Sequence, residues 1–518
     1  MRVFGKRRWR RASVAGLVTV ATAALLPAAT GSAAAAGDGH VPARYTEQRL
    51  DWHTCDGAPS LDCATMSVPR DWHHPASGPD ISVSVSRHRA ADPAARRGVL
   101  MMAAGGPGGQ GLLRPADFAK RSPTVAAAYD IVSFDQRGLP RSTPLACQTR
   151  AEFDAFFGDD SRDRSPSAVR GVVQRSRQLA RSCQERGGGL APYLTTDQTV
   201  RDMDLFRALL GARKIAYYGP SYAGMIGAYY ATEFPHRVDR LVLDSTVAFD
   251  GTWESFLMDQ PRSFQRRFER DFLPWLAARD ATYHYGRTAA AVEAKWEARR
   301  RALRDRPAVL DDGRRVTPNR LDFGTSQALY NAARGFAPLA TALAALDHWD
   351  TAAPAERGAA KEVFGDYLSP EFLAEYTAVT CNDTPWSHDM DGWARRTATY
   401  TATYPLVGAR ALAFAATCAA WPASRAPHVH VTGKGLPTTL MLGSLHDPAT
   451  YYEGVLRSHR ALRGSRLVTV AGGDHGQYQN HNPCVDALVD RYLLTGAAPA
   501  KDIGCPAPRA QDDPKDAP

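Results

Sequence analysis

Short apolar segments separated by helical stretches dominate the first half of the chain. Residues 99–103 (VLMMA) and 130–135 (DIVSFD) are apolar runs that end in glycine-rich or polar turns, as buried parallel strands do. Residues 214–218 and 241–244 repeat this pattern on either side of a helical stretch at 222–233, and residues 81–87 (ISVSVSR) alternate like a half-exposed strand. The alternation predicts an α/β fold with a doubly wound, mostly parallel sheet.

The pattern changes at about residue 250. Strand-like runs disappear, and Phe264, Phe268 and Phe272 recur at four-residue intervals, which favours packing between helices over ligand contacts. Strand patterns return at 436–443 and 466–471, with a helix between them at about 451–462. We therefore predict a large helical cap at 250–425. This cap interrupts the α/β core. The N-terminal part of the core is 37–249, and its C-terminal part, which includes the tail, is 426–518.

Residues 1–36 have the pattern of a secretory signal peptide. Six basic residues lie between Arg2 and Arg11, an apolar run follows at 14–28, and Ala34 and Ala36 precede Gly37. The apolar run is too short for a membrane span. The sequence therefore predicts a secreted, extracellular protein, free or associated with the cell wall, with no stable membrane association after signal cleavage. The paired arginines leave both the general and the twin-arginine export routes open.

The net charge gives no support for a nucleic-acid partner. The full chain of 518 residues has a formal net charge of +9, and without the six basic residues of the predicted signal peptide this falls to +3. A protein that binds nucleic acid through its charge needs a much more basic surface.

The eight cysteines are an even set, and none forms a C-x-x-C metal or redox motif. Cysteines of an exported protein are expected to pair. Spacing alone permits 105 connectivities. We expect sequential pairing because each disulfide then closes a local loop: Cys55 with Cys63, Cys147 with Cys183, Cys381 with Cys418, and Cys484 with Cys505.

The segment Gly219-Pro220-Ser221-Tyr222-Ala223-Gly224 lies between an apolar strand pattern and a helix pattern. A nucleophile elbow needs this setting, because its strained turn brings strand and helix so close that the flanking residues must be small. Gly219 and Ala223 occupy the flanking positions, and Ala223 replaces the usual glycine. The pattern predicts that Ser221 is a nucleophile.

A serine hydroxyl becomes reactive when an imidazole accepts its proton and a carboxylate fixes the imidazole tautomer. In α/β-hydrolases the chain order is serine, acid, histidine. Asp447 and His475 follow the strand patterns at 436–443 and 466–471, and a doubly wound sheet carries reactive groups at such strand ends. We predict the triad Ser221, Asp447 and His475. The weaker candidates nearby are Asp474, His446 and His481.

A glycine-rich loop, Ala104 to Gly109, follows the strand at 99–103. Glycines allow the backbone to approach a developing oxyanion, so we predict an oxyanion hole formed by the N–H groups of Gly106 and Tyr222. No Gly-Lys-Ser/Thr follows the loop, which excludes a phosphate-binding P-loop. The sequence predicts neither a metal nor a cofactor.

With these motifs the chain resembles the secreted bacterial tripeptidyl aminopeptidases, relatives of the prolyl aminopeptidases among the α/β-hydrolases. The resemblance covers nearly all of the chain after the signal peptide. It rests on Trp52 to Cys55, the Gly-Gly-Pro-Gly loop, the turn from Asp135 to Gly138, the Ser221 elbow, Cys381 to Asp383, Asp447-Pro448, and the segment from Cys484 to Cys505.

The resemblance implies an exopeptidase that releases tripeptides from peptides with a free N-terminus. Such an enzyme needs a carboxylate for the substrate ammonium and a cap that excludes longer extensions. The cap is our interpretation of residues 250–425, and Asp383 is the candidate anchor; the alternative for Asp383 is a helix-cap or turn residue. An esterase or other small-acyl hydrolase, a prolyl-type aminopeptidase that releases single residues, and a non-catalytic binding protein are the alternative functions.

Overall fold

The structure is a computed structural model, and it describes residues 41–158, 160–365, 368–423, 426–427 and 429–508. The predicted signal peptide and the end of the C-terminal tail lie outside the described residues.

Ten strands of the described chain form one sheet. They are β1 His53–Cys55, β2 Ala58–Pro69, β3 Asp80–His88, β4 Gly98–Met102, β5 Tyr129–Phe134, β6 Ile215–Pro220, β7 Val238–Asp244, β10 Leu440–Ser444, β11 Arg466–Ala471 and β12 Ile503–Pro506. Their order across the sheet is β1-β2-β3-β5-β4-β6-β7-β10-β11-β12. The pairs from β5 to β12 across the sheet are parallel, and β1, β2 and β3 add an antiparallel edge. This confirms the predicted α/β-hydrolase fold class.

The strands predicted from apolar runs are present, but β1 and β2 were not expected. Their residues fall in the stretch 37–78, which has a turn-rich composition. In β2, serine, threonine and aspartate interrupt the apolar residues, so the sequence lacks a clean period of two, although Met66 and Val68 are fully buried. Eight residues of β2 pair with β3, and this partner stabilises a strand that the pattern alone does not indicate.

Helices cover the two faces of the sheet, as connections between parallel strands require. The helix after β6 spans Tyr222–Glu233, as the sequence predicted. The inserted region is the part of the chain between β7 and β10. The other helices outside it are Ala43–Thr46, Arg114–Arg121, Pro123–Ala128, Arg150–Phe157, Pro166–Arg186, Thr196–Leu209, Tyr452–Ala461 and Pro483–Thr495, with short 3-10 turns at Ala191–Tyr193 and Pro235–Arg237.

Between β7 and β10 the described chain is almost entirely helical. Phe264, Phe268 and Phe272 are buried together in the hydrophobic core of this region, which confirms their interpretation as packing residues. The exception to the helical pattern is a hairpin of two-residue strands, β8 Ala308–Val309 and β9 Arg315–Val316. The helices are Trp253–Arg267, Leu273–Ala277, Asp280–Tyr283, Ala289–Asp305, Pro318–Ala328, Ala332–Asp347, Pro354–Phe364, Pro370–Asp383, Met390–Thr403 and Ala411–Ala419, with a π-helical turn at Phe268–Phe272 and 3-10 turns at Trp349–Thr351 and Gly408–Arg410.

All eight cysteines form disulfides, and the sequential pairing is confirmed. The bonds are Cys55–Cys63, Cys147–Cys183, Cys381–Cys418 and Cys484–Cys505. Each closes a loop of at most 37 residues. The third bond joins two helices of the inserted region, Pro370–Asp383 and Ala411–Ala419.

Candidate active site

Ser221 occupies the sharp turn between β6 and the helix Tyr222–Glu233. Its backbone has φ 61° and ψ −128°, a conformation that side-chain-bearing residues rarely adopt, and strain of this kind concentrates at functional sites. The N–H of Ser221 donates to the carbonyl of Asp244 at 2.8 Å, which ties the turn to β7. The local geometry is that of a nucleophile elbow.

Small residues are required around this turn. A Cβ on Gly219 would lie 2.4 Å from the carbonyl oxygen of Ala223, and one on Gly105 would lie 2.9 Å from the Cβ of Ser221. The second distance shows that the glycine-rich loop passes directly beside the serine. Ala223 itself is fully buried without displacing the turn, so this departure from glycine is accommodated.

His475 and Asp447 form a closely paired imidazole and carboxylate. Nδ1 of His475 lies 3.0 Å from each carboxylate oxygen of Asp447. Asp447 is 1% exposed and also accepts hydrogen bonds from the N–H groups of Ala449 and Thr450, both at 2.9 Å. Because a carboxylate faces Nδ1, that nitrogen carries the proton, and Nε2 is left as the acceptor.

The environment of His475 changes its affinity for a proton. Burial is the largest single effect and favours the neutral imidazole, but the charge and the hydrogen bond of Asp447, together with the charge of Asp244, outweigh it and raise the pKa of His475 above its ordinary value of 6.5. The group is therefore a stronger base than a free histidine, as a residue that accepts a hydroxyl proton needs to be.

The loop that carries His475 is held by the end of β7. The carboxylate of Asp244 accepts the N–H groups of Gln477 and Tyr478 at 2.9 Å, and the hydroxyl of Ser245 accepts the N–H of Gly476 at 3.0 Å. Burial raises the pKa of Asp244 even though these bonds favour its ionised form. Sequence reasoning did not identify this support; the acidic residue that ends the apolar run LVLD was the available signal.

A cavity of about 770 Å³ joins the parts of the site. Ser221, Gly106 and His475 all line it, and the inserted region contributes further lining residues, among them Tyr330 and Phe372. Tyr330 accepts the N–H of His475 through its carbonyl at 2.7 Å, and its ring meets the imidazole edge-on. Phe372 packs on the glycine-rich loop, because a Cβ on Gly106 would lie 3.3 Å from its ring. Tyr222 follows Ser221 and begins the next helix, but its side chain points into the core.

Asp383 does not occupy the expected position in the substrate cavity. Its side chain is 6% exposed, and its carboxylate accepts hydrogen bonds from the N–H and hydroxyl of Thr196, at 2.7 and 2.6 Å, and from the indole N–H of Trp253 at 3.2 Å. Thr196 in turn bonds the hydroxyl of Tyr222 at 2.8 Å. Asp383 is saturated by internal donors and supports the residue that follows Ser221, so it is not available to a substrate ammonium.

The titratable residues that directly precede the proposed base and acid in sequence have other partners. Asp474, which precedes His475, pairs with the buried guanidinium of Arg267, and its other oxygen accepts from the amide of Asn480 at 3.0 Å. His446 bonds Asp271 at 3.0 Å. These contacts leave Asp447 as the carboxylate on the imidazole. Arg267 was also missed, because no pattern in the sequence connects it with Asp474. In the structure its guanidinium lies so close to Gly473 that a Cβ there would collide with it.

The described residues contain no group of three or more histidine, cysteine, aspartate or glutamate side chains placed to hold a metal ion. None of their helices combines the length and the apolar composition that a membrane crossing requires.

Residues 404–505 match the family described as TAP-like protein. The tripeptidyl aminopeptidase of Streptomyces coelicolor is 36% identical over 487 residues, which cover 91% of this chain and 88% of that protein. From Mycobacterium tuberculosis, carboxylesterase B is 30% identical, covering 96% and 99% of the two chains, and the serine protease Hip1 is 28% identical, covering 88% and 91%.

Proposed function

The chain belongs to the family of the tripeptidyl aminopeptidases and is a serine hydrolase of that type, and from this premise we propose that it is a secreted exopeptidase that releases tripeptides from free N-termini. One observation supports the chemistry more than any other. Asp447 holds Nδ1 of His475, and the imidazole lines the same cavity as the strained Ser221. These are the parts that activate a hydroxyl for acyl transfer.

In the first half of the proposed reaction, Nε2 of His475 accepts the proton of Ser221 as its oxygen attacks the scissile carbonyl carbon. The N–H groups of Gly106 and Tyr222 stabilise the negative charge that develops on the carbonyl oxygen. The tetrahedral intermediate then collapses, the C–N bond breaks, and the protonated imidazole donates its proton to the departing amine. The product of this half-reaction is a tripeptidyl ester of Ser221.

In the second half, a water molecule attacks the ester carbonyl and gives its proton to His475. Collapse of this intermediate breaks the bond to Ser221, whose oxygen recovers the proton, and releases the tripeptide acid. Asp447 stays ionised throughout and stabilises the imidazolium that forms in each half.

The dimensions of the cavity support a short peptide as substrate. About 770 Å³ lies in the range of small-ligand sites, and helices of the inserted region form part of its wall. We propose that these helices are the cap that limits the length bound on the acyl side. Asp117 is the carboxylate that lines the cavity within the described chain, and we propose it, in place of Asp383, as the contact of the substrate ammonium.

The four disulfides support the proposed export, because such bonds persist in oxidising compartments. The signal peptide is tested directly by N-terminal sequencing of the protein recovered from the culture medium. We expect a mature chain that begins at or after Gly37.

The test of the catalytic function compares three substrates: a tripeptide p-nitroanilide with a free N-terminus, its N-acetylated form, and a simple p-nitrophenyl ester. We expect the free-amine substrate to be cleaved most efficiently and Ser221→Ala to lose activity by a factor on the order of 10⁶. Mass analysis of products from a longer peptide gives the number of residues released.

An esterase is the second candidate, because a relative named carboxylesterase B is 30% identical over nearly the whole chain. A preference for the ester, together with indifference to acetylation, would replace the peptidase proposal with this one. Full activity of Ser221→Ala would contradict both.

A further inference from the structure

The substrate cavity has an excess of positive charge. Among the described residues, five arginines line it, against the single carboxylate of Asp117 and no lysine. An enzyme that takes only neutral peptides with an N-terminal ammonium has no need of this charge, and a cation in the cavity repels the ammonium. The five are Arg114, Arg121, Arg141, Arg334 and Arg410.

Most of these arginines have no carboxylate partner. Arg141 lies 3.5 Å from Asp135, and Asp117 is 3.6 Å from Lys120. The other four arginines form no ion pair with any carboxylate of the described chain. Arg121 and Arg334 are exposed, where solvent screens their charge, whereas Arg410 is half-buried. Arg114 is exposed as a whole residue, although burial of its guanidinium lowers its pKa.

Arg410 is held in place by neutral groups. Its guanidinium lies over the ring of Phe264 at 5.1 Å and over that of Phe323 at 5.7 Å, and Nη1 donates to the hydroxyl of Ser326 at 3.0 Å. Stacking on aromatic faces restricts the planar group without using its remaining N–H donors. The side chain is thus oriented at the cavity wall, and most of its N–H donors have no hydrogen-bond partner among the described residues.

The carboxylate of Asp322, which lines a smaller neighbouring cavity with Arg410, is already neutralised by other arginines. It is bound by Arg300 at 2.8 Å and lies 3.4 Å from Arg162. Burial lowers the pKa of Arg410, and the guanidinium still remains protonated at neutral pH because its ordinary value is so high. A charged, partly desolvated group that lacks a counter-ion favours an anionic ligand.

We propose that Arg410 is an anion-binding residue of the substrate cavity and that it binds a carboxylate of the peptide substrate. The assignment deepens the proposed peptidase function and rests on it. A guanidinium binds a carboxylate through two parallel N–H donors, and such charge-assisted pairs are among the strongest hydrogen bonds in proteins.

A peptide can supply the carboxylate from two sources. One is an aspartate or glutamate side chain within the first three residues, and the other is the free C-terminus of a short peptide. The chemistry at Arg410 is the same in both cases, so the experiment separates them.

Binding is measured by calorimetry on the Ser221→Ala variant, which makes the result independent of turnover. Three pairs of amidated tetra-alanine peptides carry glutamate or glutamine at position one, two or three, and a fourth pair compares the free acid with the amide. We expect the carboxylate member of one pair to bind at least about tenfold more tightly than its neutral partner. The pair that shows the difference identifies the source.

Adding Arg410→Gln should bring that ratio to within about twofold of one, and Arg410→Lys should give an intermediate value. The matched control is Arg279→Gln. Arg279 is also half-buried and stacked on an aromatic ring, Trp275 at 4.3 Å, but it does not line the cavity, so the ratio should be retained.

Ratios near one for all four pairs in the Ser221→Ala protein would overturn the proposal, even if the Arg410 variants do not fold. So would a tenfold ratio that survives Arg410→Gln. Failure of the tripeptidyl function is a separate result: it would appear as indifference to N-acetylation in the turnover assay, without changing these binding ratios.

Discussion

At the scale of single residues, the proposed chemistry depends on the orientation of one imidazole. Nδ1 of His475 faces both oxygens of Asp447. The N–H groups of Ala449 and Thr450 fix Oδ1, and the hydroxyl of Thr450 donates to Oδ2. The carboxylate therefore sets the tautomer of the proposed base and contributes to its raised pKa. Because that pKa is raised, the imidazole becomes protonated at a higher pH than a free histidine as the pH falls. The acid limb of kcat/KM should lie above pH 6.5.

Asp447→Asn is the sharpest test of this arrangement. The backbone N–H groups at 449 and 450 should continue to donate to the side-chain oxygen of the asparagine. Its NH₂ group then faces Nδ1 of His475 and forces the imidazole proton onto Nε2. We expect kcat to fall by about 10⁴ and the acid limb of the residual activity to move to lower pH. The measurement is a pH profile of kcat and kcat/KM, with thermal unfolding as the control for folding. A kcat within tenfold of the original would refute the role of Asp447.

Asp383→Asn separates a structural carboxylate from a substrate anchor. The carboxylate accepts hydrogen bonds from Thr196 and Trp253 within the core, and an amide would bring N–H groups against those donors. We expect KM for free-amine substrates to stay the same and the free energy of unfolding to fall by about 1–3 kcal/mol. Substrate titration and denaturant unfolding give the two values, and Asp117→Asn is the comparison. An increase in KM for Asp383→Asn alone would restore the anchor hypothesis.

At the scale of secondary-structure elements, the loop that carries His475 is fixed from two sides. Asp244 and Ser245, after β7, bind its backbone from the sheet. Arg267, at the end of the helix Trp253–Arg267, pairs with Asp474 and also donates to the carbonyl of Leu329, next to Tyr330. The inserted helices therefore help to position the proposed base, His475, as well as to line the cavity.

Arg267→Gln should weaken the attachment of the His475 loop to the inserted helices. It leaves the buried carboxylate of Asp474 without its counter-charge, and the loss of one partner of a buried pair typically costs about 3–5 kcal/mol. We expect a lower free energy of unfolding in denaturant and a lower kcat with little change in KM, because the altered contact positions the base and does not touch the substrate. The double variant Arg267→Gln/Asp474→Asn should recover part of the stability. Equal stability of the single variant and the parent would contradict the proposed role of Arg267 in holding this loop.

The sequence predicted these elements where a local signal existed. The helix Tyr222–Glu233 and the strand β11, Arg466–Ala471, have the predicted bounds because apolar periodicity and the elbow glycines mark them. The chain order of serine, acid and histidine led to Asp447. By contrast, β2 depends on its pairing with β3, and Asp383 depends on donors about 130 and 190 residues away in sequence, at Trp253 and Thr196. Contacts between distant segments leave no periodic pattern, so these features required the structure.

At the scale of the whole molecule, a sheet supports the serine, the acid and the histidine, and an inserted helical region supplies much of the cavity wall. The Cys381–Cys418 disulfide links two helices of that region. These helices, with the turn that precedes the second, contribute Phe372, Tyr376, Arg410 and Phe414 to the cavity. The bond therefore fixes a part of the cavity wall that packs on the glycine-rich loop through Phe372, and its removal should affect substrate binding as well as stability.

The double variant Cys381→Ala/Cys418→Ala tests this coupling against Cys55→Ala/Cys63→Ala. The loop-entropy estimate for separations of 37 and 8 residues gives losses of about 4 and about 2.5 kcal/mol in the free energy of unfolding. We expect only the first variant to raise KM, since Cys55 and Cys63 do not line the cavity. Denaturant unfolding and substrate titration at a temperature where both variants stay folded provide the comparison. If both variants raised KM equally, the effect would reflect general loosening of the fold, and the disulfide would have no specific role in shaping the cavity wall.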